Sequence, residues 1–178
     1  MKDNRVLLGF SGGIDSFAAV GLLQAAGYHV TALTLDMRGD SALLEKARLR
    51  AGALGIPWRM RSVRERFERE VVDYFTDSYF RGRTPAPCTR CNSRIKWPCL
   101  AAEADALGIR HIATGHYFRI TSAGGKRYVT RAADNRKDQS YYLWDLPQEI
   151  LDRVLTPMGT VIKRNIVEEL AEIGRAHV

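Results

Sequence analysis

The sequence predicts an α/β fold, a parallel sheet with helices on both faces and a β-hairpin inserted late in the chain. Three observations predict it. Apolar, β-branched runs alternate with segments of helical period, Gly55 and Gly108 stand where helical segments stop, and two short alternating runs flank a Ser-Ala-Gly-Gly turn. A chain of 178 residues suffices for one domain with a full core and hardly for two, so residues 1–178 are read as one domain.

The run Val6-Leu7-Leu8 is the first strand, and Phe17-Ala18-Ala19-Val20 with Leu22-Leu23 the helix that follows. Residues 29–35 alternate and form a second strand. Residues 42–54 carry Leu43, Leu44, Ala47, Ala51 and Leu54 at helical spacing, with Asp40 or Ser41 as N-cap and Gly55 as stop. A third strand is read at 58–63, one or two helices at 67–80, a helix at 96–107 ended by Gly108, and a strand at 110–114. Residues 118–121 and 127–130 flank Ser122-Ala123-Gly124-Gly125 and fit a hairpin. Helices at 148–155 and 163–173, separated by a break at Pro157, complete the order. In such a sheet ligands bind beyond the carboxyl ends of the strands, at the point where the strand order reverses.

No apolar run approaches the length of a membrane span, and the first residues enter a strand without the apolar core of a signal peptide. A cytoplasmic protein that engages no membrane is expected. Three cysteines are too few for a disulfide scaffold, so they are expected as thiols unless they carry redox or metal chemistry. A net charge of +7 favours a polyanionic partner. Residues 78–102 contain no acid, yet hold Arg81, Arg83, Arg90, Arg94 and Lys96, a concentration suited to phosphate contacts.

The segment Gly9-Phe10-Ser11-Gly12-Gly13-Ile14-Asp15-Ser16 occupies the turn from the first strand to the first helix. Gly12 and Gly13 can take positive φ and carry no Cβ, so their amides can converge on an anion, with Ser11, Ser16 and the helix N-terminus adding hydroxyls and partial positive charge. The loop lacks both the Gly-Lys-Ser/Thr ending of a Walker A loop and the Gly-x-Gly-x-x-Gly of dinucleotide folds. Its Ser-Gly-Gly-x-Asp-Ser resembles the pyrophosphate loop of enzymes that split ATP between the α and β phosphates. By that resemblance it holds pyrophosphate, and Asp15 lies near the accompanying magnesium.

Residues 84–97 read Thr-Pro-Ala-Pro-Cys-Thr-Arg-Cys-Asn-Ser-Arg-Ile-Lys-Trp. Pro85 and Pro87 disfavour helix up to the first cysteine, and Asn92 or Ser93 can cap a helix that follows. Cys91 is then expected near a helix N-terminus among basic residues, which lowers a thiol pKa. Cys88 and Cys91 can form a local disulfide, bind a metal as half of a zinc or iron–sulfur site, or act as nucleophile and resolving thiol. Cys99, inside an apolar helical stretch, reads as a small buried residue.

Three further segments extend the resemblance: Ala113-Thr114-Gly115-His116-Tyr117, Lys137-Asp138-Gln139-Ser140-Tyr141-Tyr142-Leu143, and Pro157-Met158-Gly159 with Lys163 beyond. Together with the glycine loop and the Pro-x-x-x-Cys-Asn-x-x-Ile-Lys run ending at Lys96, they are similar to the tRNA-specific 2-thiouridylases over residues 5–173. That resemblance implies a Rossmann-like sheet of the adenine nucleotide alpha hydrolase type. It implies that the glycine loop, Leu35 and Gly115 bind ATP. It implies that Ala86, Pro87 and Cys88 approach the target base, that Cys91 is a catalytic cysteine, and that His116, Lys137, Asp138 and Gln139 contact tRNA.

The implied reaction is adenylation of the C2 oxygen of the wobble uridine, then sulfur transfer from a cysteine persulfide. It uses ATP, Mg2+, tRNA and a sulfur-donor protein. A second thiol releases the sulfur by forming a disulfide, or Cys88 and Cys91 ligate an iron–sulfur cluster that carries it. Two departures mark this chain. The family has Asp at the position of Cys88, and its second catalytic cysteine lies in a downstream part beyond residue 178. The chain is therefore expected to be the N-terminal catalytic part of a longer protein with C-terminal tRNA-binding domains, or a compact variant in which Cys88 and Cys91 form the working pair. Two other readings compete: a small-molecule ligase of the same ATP-splitting superfamily, with incidental or zinc-binding cysteines, and a non-catalytic nucleotide- or tRNA-binding module.

Overall fold

Successive side chains of the central strands point to opposite faces and are buried on both, and that double burial builds the molecule. In the computed structural model, which describes residues 3–164, β1 (Arg5–Gly9), β2 (His29–Asp36), β3 (Trp58–Ser62), β4 (His111–Thr114) and β7 (Val154–Leu155) form one parallel sheet ordered β3-β2-β1-β4-β7. Val6, Leu8, Val30, Ala32 and Ala113 point to one face, where they pack on α1 (Ile14–Ala25) and α2 (Ser41–Ala53). Leu7, Leu33 and Ile112 point to the other, against α6 (Trp97–Ala106) and α7 (Gln148–Leu151). A sheet covered on both faces is the arrangement that parallel pairing requires. Strand order reverses between β1 and β4, so the turns that leave these two strands open a crevice at the carboxyl edge.

β5 (Arg119–Ala123) and β6 (Lys126–Thr130) make the expected antiparallel hairpin, with Gly124 and Gly125 at positive φ between paired Ala123 and Lys126. Asp40 caps α2, its carboxylate accepting the Leu43 amide at 2.9 Å, and Gly55 follows at positive φ. The region read as one or two helices at 67–80 is a helical run from α3 (Arg64–Phe67) through a π-turn (Glu68–Val72) to α4 (Asp73–Phe80).

Three expectations need correction. The helix read at 96–107 starts nine residues earlier, as α5 (Pro87–Cys91), and passes through a π-turn (Asn92–Lys96) into α6. Proline is tolerated in a first helical turn, where its missing N–H has no partner to lose, so Pro87 opens this helix rather than delaying it. The helix read at 148–155 stops at Leu151, and Val154–Leu155 becomes the fifth strand, paired with Ile112 and Ala113. The open edge of β4 supplies backbone partners that helical periodicity does not reveal, such as the Arg153 carbonyl that accepts from the Ile112 amide at 3.0 Å. Gly13 has φ −81°, so of the two loop glycines only Gly12, at +69°, needs the left-handed region. The helix read at 163–173 lies, beyond Arg164, outside the described residues. Among the described residues no helix is long and apolar enough to cross a membrane.

Candidate active site

The glycine loop is fixed from two sides and left open on the third. A Cβ on Gly12 would stand 2.9 Å from the Ala47 Cα, so α2 packs directly on the loop backbone, and the Arg50 guanidinium donates to the Gly12 carbonyl. From the other side, a Cβ on Gly115 would lie 2.8 Å from the Ser16 amide nitrogen. Only glycine lets the turn after β4 approach the start of α1 this closely. Gly13 is the N-cap of α1, and among the described residues no side chain caps the helix. Ser16 Oγ turns back to the Gly13 carbonyl at 2.9 Å, and Ser11 Oγ accepts from the Gly13 amide at 3.2 Å. The first amides of a twelve-residue helix are thereby left for an anion.

These amides border a cavity of about 540 Å³ at the sheet's carboxyl edge. Gly9, Phe10, Ser11, Asp15 and Ser16 line it from the loop, and Gly115 and His116 from the turn after β4. Leu33, Leu35, Leu43, Leu44, Phe67 and Leu100 give it an apolar wall. Sequence reading anticipated Leu35 there but missed Thr34, Asp36 and Arg38; Lys96, read as part of the basic run, lines it as well. Asp36, 3% exposed, holds the loop that follows β2: it accepts the Gly39 amide at 2.7 Å and pairs with Arg64 at 2.5 Å. The hydrogen bond from Arg64 holds its carboxyl below the usual range, against the opposing effect of burial. An acid closing a strand and a basic residue opening a helix 28 positions later carry no local signal that they meet.

Asp15, in the first turn of α1, has both oxygens engaged. Tyr117 OH donates to Oδ1 at 2.9 Å and Lys163 Nζ to Oδ2 at 2.8 Å. Burial and the neighbouring carboxylate raise the Tyr117 phenol above its ordinary value, so it stays protonated and donates. His116 also lines the cavity, its Nδ1 2.8 Å from Thr114 Oγ1 and its ring stacked near Trp97. Burial, with the nearby Lys96 ammonium, pushes its imidazole down to about 3, so it is neutral at physiological pH.

All three cysteines are free thiols, and they differ in access. Cys88 is exposed in the first turn of α5, directly after the N-cap Ala86 and Pro87. Cys91, one turn on, is 7% exposed and packs with Ile95, Cys99, Val63, Phe67 and Val71. Leu35 and Met37 pack on this cluster and, like Phe67, also line the cavity, whereas neither Cys88 nor Cys91 lines it. The expectation of a lowered thiol pKa at a helix N-terminus is overturned. Cys91 ends α5 instead of starting a helix, and burial raises its pKa, with Lys96 acting in the opposite direction. Thr89 Oγ1 and Asn92 Oδ1, on either side of Cys91 in sequence, are buried without a hydrogen-bond partner among the described residues. Among the described residues no group of three or more His, Cys, Asp or Glu side chains is arranged to hold a metal ion.

The remaining residues assigned to tRNA divide. Gln139 lines the cavity and is tied to the turn after β4, its Oε1 accepting the Tyr117 amide at 3.1 Å. Asp138 staples its own loop, accepting from the Ala132 amide at 2.8 Å and from Ser140 Oγ at 2.7 Å. Lys137 is exposed. The basic run at 78–102 is less free than its composition implied, because acids from the preceding helices fold back onto it. Arg81 pairs with Asp77, and Arg90 pairs with Glu70 while its guanidinium covers the Tyr74 ring at 4.5 Å. Arg83 and Arg94 remain exposed.

A family model described as the tRNA methyl transferase HUP domain matches residues 4–177. The tRNA-specific 2-thiouridylase MnmA 2 of Phocaeicola vulgatus is 47% identical over 176 residues, which are 97% of this chain and 50% of that protein. The tRNA-specific 2-thiouridylase MnmA 1 of Bacteroides fragilis is 48% identical over 165 residues, 91% of this chain and 45% of its own length. The chain thus spans about half the length of the curated relatives it matches. Among solved structures, an NMN synthetase from Francisella tularensis superposes with a TM-score of 0.60 at 18% identity, covering 97% of this chain and 62% of that one. An NH3-dependent NAD synthetase from Campylobacter jejuni gives 0.57 at 18% identity, covering 98% and 66%. At these identities the shared property is the fold.

Proposed function

The chain belongs to the tRNA methyl transferase HUP domain family, which its tRNA-specific 2-thiouridylase relatives represent, and from this we propose that it is the ATP-binding catalytic part of a tRNA-uridine 2-sulfurtransferase. The observation that carries the reading is a shared cavity: uncapped amides of the glycine loop border the same space as Lys96 and His116, and Leu35, Met37 and Phe67 line that space while belonging to or packing on the cluster that holds Cys91. An anion site beside a thiol is what adenylation followed by sulfur transfer requires.

A uracil carbonyl is a weak electrophile with a poor leaving oxygen, and adenylation of O2 remedies both faults. In the proposed reaction the apolar wall of Leu35, Leu43 and Leu100 takes the adenine, while the amides at the start of α1 take the departing pyrophosphate. O2 attacks the α-phosphorus and pyrophosphate leaves. Magnesium, which favours hard oxygen ligands such as the Asp15 carboxylate, would supply charge neutralisation on the phosphates. Neutral His116 offers a hydrogen bond at the cavity wall without adding charge.

Cys88, exposed, is the thiol a persulfide-carrying donor protein can load. The terminal sulfur of the Cys88 persulfide attacks C2, AMP departs, and a Cys88–S–S–C2 link remains. Cys91, which burial keeps as a thiol and Lys96 helps to ionise, loses its proton to solvent and attacks Cys88 Sγ, forming the Cys88–Cys91 disulfide and leaving sulfur on C2, and a thiol reductant restores both cysteines. The target base reaches this site by leaving the anticodon stack, which costs a few kcal/mol.

Mass spectrometry of tRNA incubated with the chain, ATP, magnesium and a sulfur source tests the proposal. Formation of 2-thiouridine is expected, with AMP released only when tRNA is present; tRNA-independent release of AMP points to a small-molecule ligase instead. Cys91→Ser is expected to abolish turnover and limit AMP release to about one equivalent per chain, with tRNA held on Cys88 through a disulfide.

A further inference from the structure

One partly buried ion pair stands where the proposed reaction needs an anion. Asp15 lines the cavity at the start of α1, where the uncapped amides favour an anionic ligand and the Asp15 carboxylate opposes it. The two groups that hold Asp15 differ in freedom. Tyr117, 2% exposed, is fixed by packing in the core and is a neutral donor. Lys163 is 26% exposed at the side chain, and its backbone amide is anchored on Asp134 Oδ2 at 3.0 Å. Its ammonium lies 5.9 Å from the Tyr117 ring and is joined to the protein by four rotatable bonds. The main chain of Lys163 is therefore held while its charge can turn.

We propose that Lys163 is a partner-switching phosphate-binding residue: it neutralises Asp15 when no nucleotide is bound and turns to the polyphosphate when one arrives. The inference rests on the nucleotide reading of the cavity. In the free chain the pair keeps Asp15 from facing the α1 amides as an uncompensated charge. When pyrophosphate or ATP enters, its oxygens compete with Asp15 Oδ2 for the Nζ donors and carry more negative charge, so the ammonium follows them. Tyr117 retains Oδ1 throughout, and Oδ2 is released as a hard oxygen donor toward the nucleotide's magnesium.

Titration calorimetry with inorganic pyrophosphate, a non-hydrolysable ATP analogue and AMP tests this on the full chain and on Lys163→Met, Lys163→Arg and Asp15→Asn. Losing one charge-assisted contact should weaken pyrophosphate and the ATP analogue about tenfold or more in Lys163→Met and leave AMP unchanged, with partial recovery in Lys163→Arg. Asp15→Asn preserves shape and the Tyr117 contact, and it should bind metal-free pyrophosphate more tightly than the parent chain, because Lys163 is already released. Unchanged pyrophosphate affinity in Lys163→Met overturns the proposal, as does a loss shared equally by AMP, or an Asp15→Asn variant that gains nothing. A parent chain that binds neither pyrophosphate nor the ATP analogue overturns the nucleotide reading along with it; a parent chain that binds both, with variants that match it, overturns only the role of Lys163.

Discussion

His116 illustrates how a residue that titrates near neutrality in water is taken out of that range by its surroundings. Its imidazole is pushed from 6.5 to about 3 by burial first and by Lys96 second, and Thr114 Oγ1 meets its Nδ1. The unfolded chain therefore binds a proton below 6.5 that the folded chain refuses until about 3, so folding stability falls as pH drops through that window. The slope from this one group is at most about 1.4 kcal/mol per pH unit. Urea denaturation midpoints at pH 7, 6, 5 and 4 should decline more steeply for the parent chain than for His116→Gln. Parallel declines would show that the folded imidazole takes up its proton as readily as the unfolded one. The same position lets the histidine of Thr-Gly-His-Tyr contribute hydrogen bonding and ring surface to the cavity wall without bringing charge to it.

At the scale of elements, the segment that joins β2 to α2 forms one wall of the cavity and depends on a helix from elsewhere in the chain. Arg64, opening α3, pairs with Asp36 at 2.5 Å, and its guanidinium lies against Gly39, where a Cβ would stand 3.0 Å from Cζ. Arg64→Ala should lower affinity for the ATP analogue, because Met37, Arg38 and Asp40 lose the clamp that sets their position on the cavity wall. It should also lower stability at neutral pH. Since Arg64 depresses the Asp36 carboxyl below 3.8, the parent chain's advantage holds above that value and fades as pH falls below it. Calorimetric binding at pH 7 and denaturation at pH 7 and pH 3 check both statements; an advantage of equal size at both pH values would show that the pair does not set it. The π-turn Asn92–Lys96 is the second element with a functional consequence. It joins α5 to α6 so that Cys91 and Ile95 face the small cluster with Val63 and Phe67, while Trp97 and Leu100 face the main core. Insertions of this kind recur at functional sites because they re-aim side chains without ending the helix.

For the whole molecule, a net charge of +7 is expressed at fewer places than the sequence implies. Arg81 and Arg90 are neutralised by Asp77 and Glu70, Lys96 is turned to the cavity, and Arg83 and Arg94 remain on the surface of the run. If tRNA is bound there, Arg83→Glu and Arg94→Glu should each weaken binding and reduce the slope of log affinity against log salt by about one phosphate contact. Filter binding across a salt series distinguishes this from Arg90→Glu, which should reduce thermal stability because it sets a carboxylate beside Glu70 and removes the cover from Tyr74. Unchanged slopes in both surface variants would remove the segment from the interface. Local sequence alone determined the glycine loop, the first four strands of the sheet, the capped α2 and the hairpin, since hydrophobic period, capping side chains and turn glycines act within a few residues of one another. It also singled out Gly115, His116, Leu35 and the cysteines as residue types in a recognisable order. Only the tertiary structure decided that Val154–Leu155 completes the sheet, that Cys91 is buried, that His116 is neutral, and that Asp15 is shared between Tyr117 and Lys163, 102 and 148 positions away. Burial, ion pairing and strand-edge pairing depend on which distant segments meet, and the energy of a charge or a thiol is set by those neighbours and by the water they exclude.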